Sequence, residues 1–102
     1  TTAFTAVSTG AFLYWLLSNL KASYQRRRDY SRAARVLGRL RLLAPHDPTH
    51  LRDEGVALLQ AGYPGRALGS LNEFLEREPA PEEAAVVYDL IQRAHRELAR
   101  WN

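Results

Sequence analysis

A spacing of 34 residues constrains this chain more than any single side chain does. Pro45 and Pro79 stand that far apart, and the residues ahead of each fall into register. Counting back from Pro45 gives Leu17, Leu20, Tyr24, Ala33, Leu37 and Leu40; the same offsets from Pro79 give Leu51, Glu54, Leu58, Ala67, Leu71 and Phe74. Large apolar residues early, a small residue near the middle and a closing proline are what a hairpin of two helices needs. Each helix then has an apolar stripe, the pair has one close crossing, and the second helix has a residue that stops it. Because the unit recurs, the expected architecture is a short stack in which each hairpin covers its neighbour. Glu54, standing where the first unit has Leu20, breaks the match.

Capping residues divide the chain into five helices. Ser8 is the expected N-cap of a first helix reaching about Arg27, leaving residues 1–7 as a flexible or extra segment. Asp29 caps a second helix from Tyr30, and Pro45 ends it. Asp47 and Pro48 form an N-cap and first-turn pair for a third helix running to Ala61, where Gly62 fits a left-handed C-terminal cap. Pro64 opens a fourth helix ending near Glu78, and Pro81 with Glu82 and Glu83 opens a fifth with carboxylates at the positive end of its dipole. Its expected apolar stripe is Ala84, Val87, Tyr88, Ile91, Ala94, Leu98 and Trp101.

Small residues mark where helices approach. Gly55 on the third helix is expected opposite Ala67 on the fourth; Lys21 holds the position of Gly55 in the first unit, with its stem over apolar surface. Tyr14 and Trp15 are adjacent, and consecutive helix positions point about 100° apart, so one of them is expected to be exposed. That makes the first helix a docking edge for an associated domain or for a second copy in a homodimer.

The period, the small mid-unit residue and the closing proline resemble the tetratricopeptide repeat. The resemblance implies an all-α, right-handed helix-turn-helix solenoid over residues 8–102. Its first repeat would cover about 14–47, its second about 48–81, and a capping helix about 81–101. The defining positions are Leu17, Leu20, Tyr24, Ala33, Pro45, Gly55, Leu58, Ala67 and Pro79.

A narrower likeness covers about residues 8–80. The run NLKASYQRRRDYSRAARVL, followed by LAPHDPTHLRDEGVALLQAGYPGRALGSLNEFLEREPAP, is similar to the C-terminal tail of bacterial SirB-type proteins, in which a transglutaminase-like domain precedes such repeats. Asn19, Leu20 and Lys21 match its Asn-Leu-Lys element, and Arg52, Asp53 and Gly55 its Arg-Asp-x-Gly element; Glu54, Tyr14 and Trp15 depart from it. The likeness implies a bacterial, cytoplasmic tail that packs on, or recruits partners for, a catalytic-looking domain. None of that domain's Cys, His and Asp motif lies in this chain, so no enzymatic role carries over. The chain begins with Thr1 and contains no Met, so it reads as a processed or excised piece.

In a tetratricopeptide stack the first helices of successive units line a concave groove. Here its lining is expected to be Trp15, Ser18, Ala22, Gln25 and Arg26, then Thr49, Arg52, Val56, Leu59 and Gln60, then Val86, Leu90 and Arg93. Val56, Leu59, Val86 and Leu90 offer apolar anchors, while Arg26, Arg52 and Arg93 offer charge for carboxylates, which suits an extended peptide or a helix. Ser18 and Ala22 occupy the basic and amide places of the carboxylate clamp used by chaperone-binding members, so that clamp is not met.

Other functions find less support. Net charge is +3, with thirteen Arg and one Lys; Arg28, Arg32, Arg35 and Arg39 are spaced for one face of the second helix. A nucleic-acid binder is the first alternative, but no aromatic is interleaved for base stacking, and the row reads as a solvated convex face. A membrane-tethered scaffold is the second, because residues 1–20 carry no charge, although five Thr or Ser interrupt the first nine. Absence of Cys excludes disulfides and thiolate metal sites. His46 and His50 straddle a loop and a helix start rather than sharing one helical face, and His95 borders the fifth stripe. No cofactor, metal or catalytic constellation is expected, and the reading is a non-catalytic interaction module.

Overall fold

The computed structural model describes residues 2–101, with side chains from residue 9 onward. It contains α1 (Thr2–Arg26), α2 (Tyr30–Leu43), α3 (Thr49–Gln60), α4 (Pro64–Glu76) and α5 (Pro81–Ala99). Each packs on the next in chain order, and α3 also touches α5. This is an all-α solenoid of two hairpins, α1–α2 and α3–α4, with α5 laid against the second.

Backbone geometry repeats with the sequence period. Helices α2 and α4 begin at Tyr30 and Pro64, 34 residues apart. The turns before them match as well. Arg28 and Gly62, again one period apart, both take left-handed backbone, with φ of 59° and 90°. In each turn one N–H reaches back three residues and the next reaches back five: Arg28 to Gln25 O and Asp29 to Tyr24 O, then Gly62 to Leu59 O and Tyr63 to Leu58 O. That is the Schellman cap, which satisfies carbonyls left over at a helix C-terminus. Gly62 was legible as such a cap. Its counterpart was masked by an arginine, whose Cβ is strained in this conformation. Arg28→Gly is therefore expected to raise stability by about 1 kcal/mol, since αL strain of about 1–2 kcal/mol outweighs the entropy glycine adds to the unfolded chain. Thermal unfolding followed by circular dichroism tests this; a lower melting temperature would refute it.

The starts and stops differ from expectation in places. Helix α1 begins at Thr2, so Ser8 lies within it and not at its start; the side chains of Ala3, Phe4, Val7 and Ser8 lie outside the described residues. Asp29 caps α2 as expected, accepting from Arg32 N at 3.2 Å and from Arg32 Nη1 at 2.7 Å. These hydrogen bonds, the side-chain one foremost, hold its carboxyl below the usual range. Pro48 has helical dihedrals but precedes the first assigned residue of α3. The capping chemistry still comes from Asp47, which accepts from Thr49 Oγ1 at 2.6 Å and Thr49 N at 3.0 Å and is likewise lowered by them.

The core follows the second helix of each hairpin. Ala33, Leu37, Leu40, Ala67, Leu71 and Phe74, six residues matched in pairs by the period, are all fully buried. Positions on the first helices are unequal. Leu51, Glu54 and Leu58 are buried on α3, whereas on α1 Leu17 is buried, Tyr24 is half-buried and Leu20 is exposed. The cause is position in the stack: α3 lies among α2, α4 and α5, while α1 packs mainly on α2 and meets α3 through Tyr14 and His50. The α5 stripe is narrower than expected. Val87, Ile91 and Ala94 are buried, but Tyr88 is 58% exposed and Trp101, beyond the end of the helix, 83%. Helix α4, with a smaller contact from α3, buries three of the seven expected stripe residues.

Candidate groove between the first helices

The geometry of α1 and α3 builds the groove. Tyr14, half-buried on α1, lies with its hydroxyl 3.0 Å from Nε2 of His50 at the start of α3; the two rings meet edge-on at 5.9 Å. His50 is buried, with Asp47 Oδ2 3.7 Å from the same nitrogen. This contact ties the helices together at one end. It also assigns His50 a packing role, and no cluster of metal-type ligands exists among the described residues.

Two turns further along α1, a recess of about 150 Å³ opens between the helices. Lys21 and Gln25 line it from α1, Tyr30 from α2, and Asp53, Val56, Ala57 and Gln60 from α3. Of the expected lining, Gln25, Val56 and Gln60 are thus brought together. Val56 and Ala57 contribute apolar surface, and two carboxamides, an ammonium and a carboxylate share the lining. A carboxamide both donates and accepts, which matches the alternating N–H and C=O of an extended backbone.

The remaining expected residues are placed differently. Leu59 is 3% exposed and packs in the core, so it offers no anchor. Arg52 Nε lies 3.1 Å from Asp53 Oδ1 and Arg93 Nε 3.2 Å from Glu97 Oε1, so both guanidinium groups already have carboxylate partners. Arg26 is exposed at the end of α1. Val86 is exposed on α5 while Leu90 is half-buried against the core. Trp15 is 59% exposed and stacks at a tilt on Phe12, with ring centroids 5.8 Å apart. Of the adjacent pair, Trp15 is the exposed one, as expected. Sequence reading missed Lys21, Asp53 and Ala57 as lining, although each is one helical turn from a residue it had chosen. Tyr30 had no such signal, because its place depends on how α2 crosses α1.

The basic row also shifts. Arg28 sits in the turn before α2, so it does not share the helical face, and Arg32, Arg35 and Arg39 line a different recess with Leu17, Leu20 and Tyr24. A recess of about 410 Å³ lies away from the groove, bounded by Gly62, Pro64, Glu97, Arg100 and Trp101. Among the described residues, no helix is long and apolar enough to cross a membrane.

A family model for the tetratricopeptide repeat matches residues 20–92. Among curated proteins, the chain is similar to a UPF0162 protein of Xylella fastidiosa strain Temecula1, with 36% identity over 72 residues, and to its counterpart in strain 9a5c, with 35%. The match covers 71% of this chain but 26% of either relative, so it spans about a quarter of their length. No solved structure matches the chain significantly. Tetratricopeptide repeats in general mediate protein–protein interaction. With that match running from the last turns of α1 through α2, α3 and α4 into α5, the chain belongs to the tetratricopeptide repeat family.

Proposed function

We propose that this domain is a non-catalytic interaction module whose α1–α3 groove receives an extended peptide segment of a protein partner. The observation that carries this reading is the recess itself. Gln25 and Lys21 from one repeat and Val56 and Gln60 from the next converge on a single concavity, so a ligand there is gripped by both repeats at once. Val56 supplies apolar contact, the two carboxamides bond the peptide backbone, and Arg26 at the rim attracts a carboxylate. On the resemblance to SirB-type tails, the partner is a segment of an associated transglutaminase-like domain.

Peptide display against the 102-residue domain tests the reading. Selected peptides are expected to lose at least about tenfold in affinity on Val56→Glu, because the new carboxylate is desolvated against the apolar surface. Gln60→Ala should weaken them less. Leu42→Glu serves as control, since Leu42 is 78% exposed on α2 and outside the groove. Binding that ignores both groove variants, with helicity retained, rules the groove out.

A further inference from the structure

The end of the stack carries a second surface, built independently of the groove. The apolar stripe of α1 falls at 13, 16, 17, 20 and 24. Leu17 is buried against α2, but Leu13, Leu16 and Leu20 remain 42%, 39% and 38% exposed. Beside them, a recess of about 240 Å³ runs between α1 and α2, floored by Leu17, Leu20, Tyr24 and Val36 and edged by Arg32, Arg35 and Arg39. Arg32 is paired with Asp29 at 2.7 Å. Among the described residues, Arg35 and Arg39 have no carboxylate within ion-pair distance.

We infer that this end face is a docking site for an acidic amphipathic helix. The dimensions favour a helix. Leu17 to Tyr24 on α1 and Arg32 to Arg39 on α2, which line the recess, each span seven residues, about 10 Å at 1.5 Å per residue. Two parallel rows of equal length with a trough between them are what a third helix fills by ridge-into-groove packing. Its leucine-type side chains lie on Leu13, Leu16 and Leu20, and carboxylates four residues apart along one edge meet Arg35 and Arg39.

Charge separates this occupant from the others. A second copy docking through the same face would bring three more arginines and no carboxylate, because none lines the recess, so Arg35 and Arg39 would stay unpaired. A lipid surface is flat, and would rest on the Phe12–Trp15 ridge without entering a trough. An acidic helix satisfies the trough and the arginines together.

The test uses a lactam-bridged monomeric helix of about 14 residues, four turns, with leucines on one face and glutamates at i and i+4 along its edge. A charge-swapped twin carries lysines in place of the glutamates. Fluorescence anisotropy at low salt should show saturable binding of the glutamate peptide and none of the lysine peptide. Arg35→Glu combined with Arg39→Glu should invert that preference, and Leu16→Ser should weaken the productive pair about tenfold. Circular dichroism confirms that each variant remains helical. The proposal is overturned if neither peptide binds, or if binding ignores the sign of positions 35 and 39. It is also overturned by a dimer in sedimentation that Leu16→Ser dissolves, which would give the face to a second copy. Displacement of the peptide by phosphatidylglycerol vesicles that bind regardless of Leu16 would give it to a membrane instead.

Discussion

Ala67→Leu is expected to lower the unfolding free energy by about 1–3 kcal/mol, the usual cost of forcing extra methylenes into a packed core. Ala67 has no exposed surface, and its backbone carbonyl lies 3.5 Å from the point where Gly55 would carry a Cβ. Gly55 sharpens the test, because two effects of opposite sign meet there. An alanine in place of a helical glycine gains about 1 kcal/mol of intrinsic propensity. At Gly55, however, the added carbon would lie 2.6 Å from both Cγ and Cδ2 of Leu71, which is fully buried and has no free space to enter. The clash wins, and Gly55→Ala should destabilise. Gly69, on the outer face of α4, has nothing within 4 Å of the same construction, so Gly69→Ala should stabilise by about 1 kcal/mol. In a Leu71→Ala background the clash is gone, and Gly55→Ala should change sign. Urea denaturation of the five variants, the Leu71→Ala background included, reads all of this. If Gly55→Ala stabilises the otherwise unaltered chain, the two hairpin helices do not approach as described.

The same residues show how far the fold was legible. A small side chain recurring at 33 and 67 announced a close crossing, and both alanines are fully buried at one. The contact partner of Gly55 was half legible: Ala67 was expected, yet Leu71 stands nearer, because a leucine leans toward its helix N-terminus and reaches over the preceding turn. Chain ends defeated the reading for a physical reason. Periodicity reports which face of a helix is apolar, but not how many neighbours cover it. Thus Leu20 and Tyr88, both at positions fit for burial, are exposed on helices that have fewer neighbours than α3. The groove suffered the converse error. Leu59 was counted as surface from its place in the repeat, and α3, packed among α2, α4 and α5, buries it. Lys21, expected to lay its stem over apolar surface, stands at the wall of the recess.

Glu54 yields the second large effect, and its size depends on the replacement. Its carboxylate, 11% exposed, accepts from Ser70 Oγ at 2.8 Å and lies 3.6 Å from Nε of Arg41; Arg41 Nη1 in turn is 3.5 Å from Glu73 Oε2. Arg41 Nε is buried without a hydrogen bond, so the carboxylate supplies it with Coulombic compensation rather than a bonded partner. Glu54→Ala removes that compensation, orphans the Ser70 hydroxyl and leaves a void between α2 and α4, with an expected cost of about 2–4 kcal/mol. Glu54→Leu restores the residue type that the first repeat carries at Leu20 and fills the same space. Only one partner of the pair is replaced, so Arg41 Nε and the Ser70 hydroxyl still lose the carboxylate, but no void is left; this variant should cost about 1–2 kcal/mol, less than the alanine, with Arg41 turning to Glu73. Arg41→Ala should cost less than the 3–5 kcal/mol typical of breaking a fully buried pair, about 1–2 kcal/mol, because the Arg41 side chain is 37% exposed and water reaches what remains. The comparison isolates what the site contributes. If Glu54→Leu is as damaging as Glu54→Ala, the carboxylate itself holds α3 against α2 and α4, and the volume it fills is secondary.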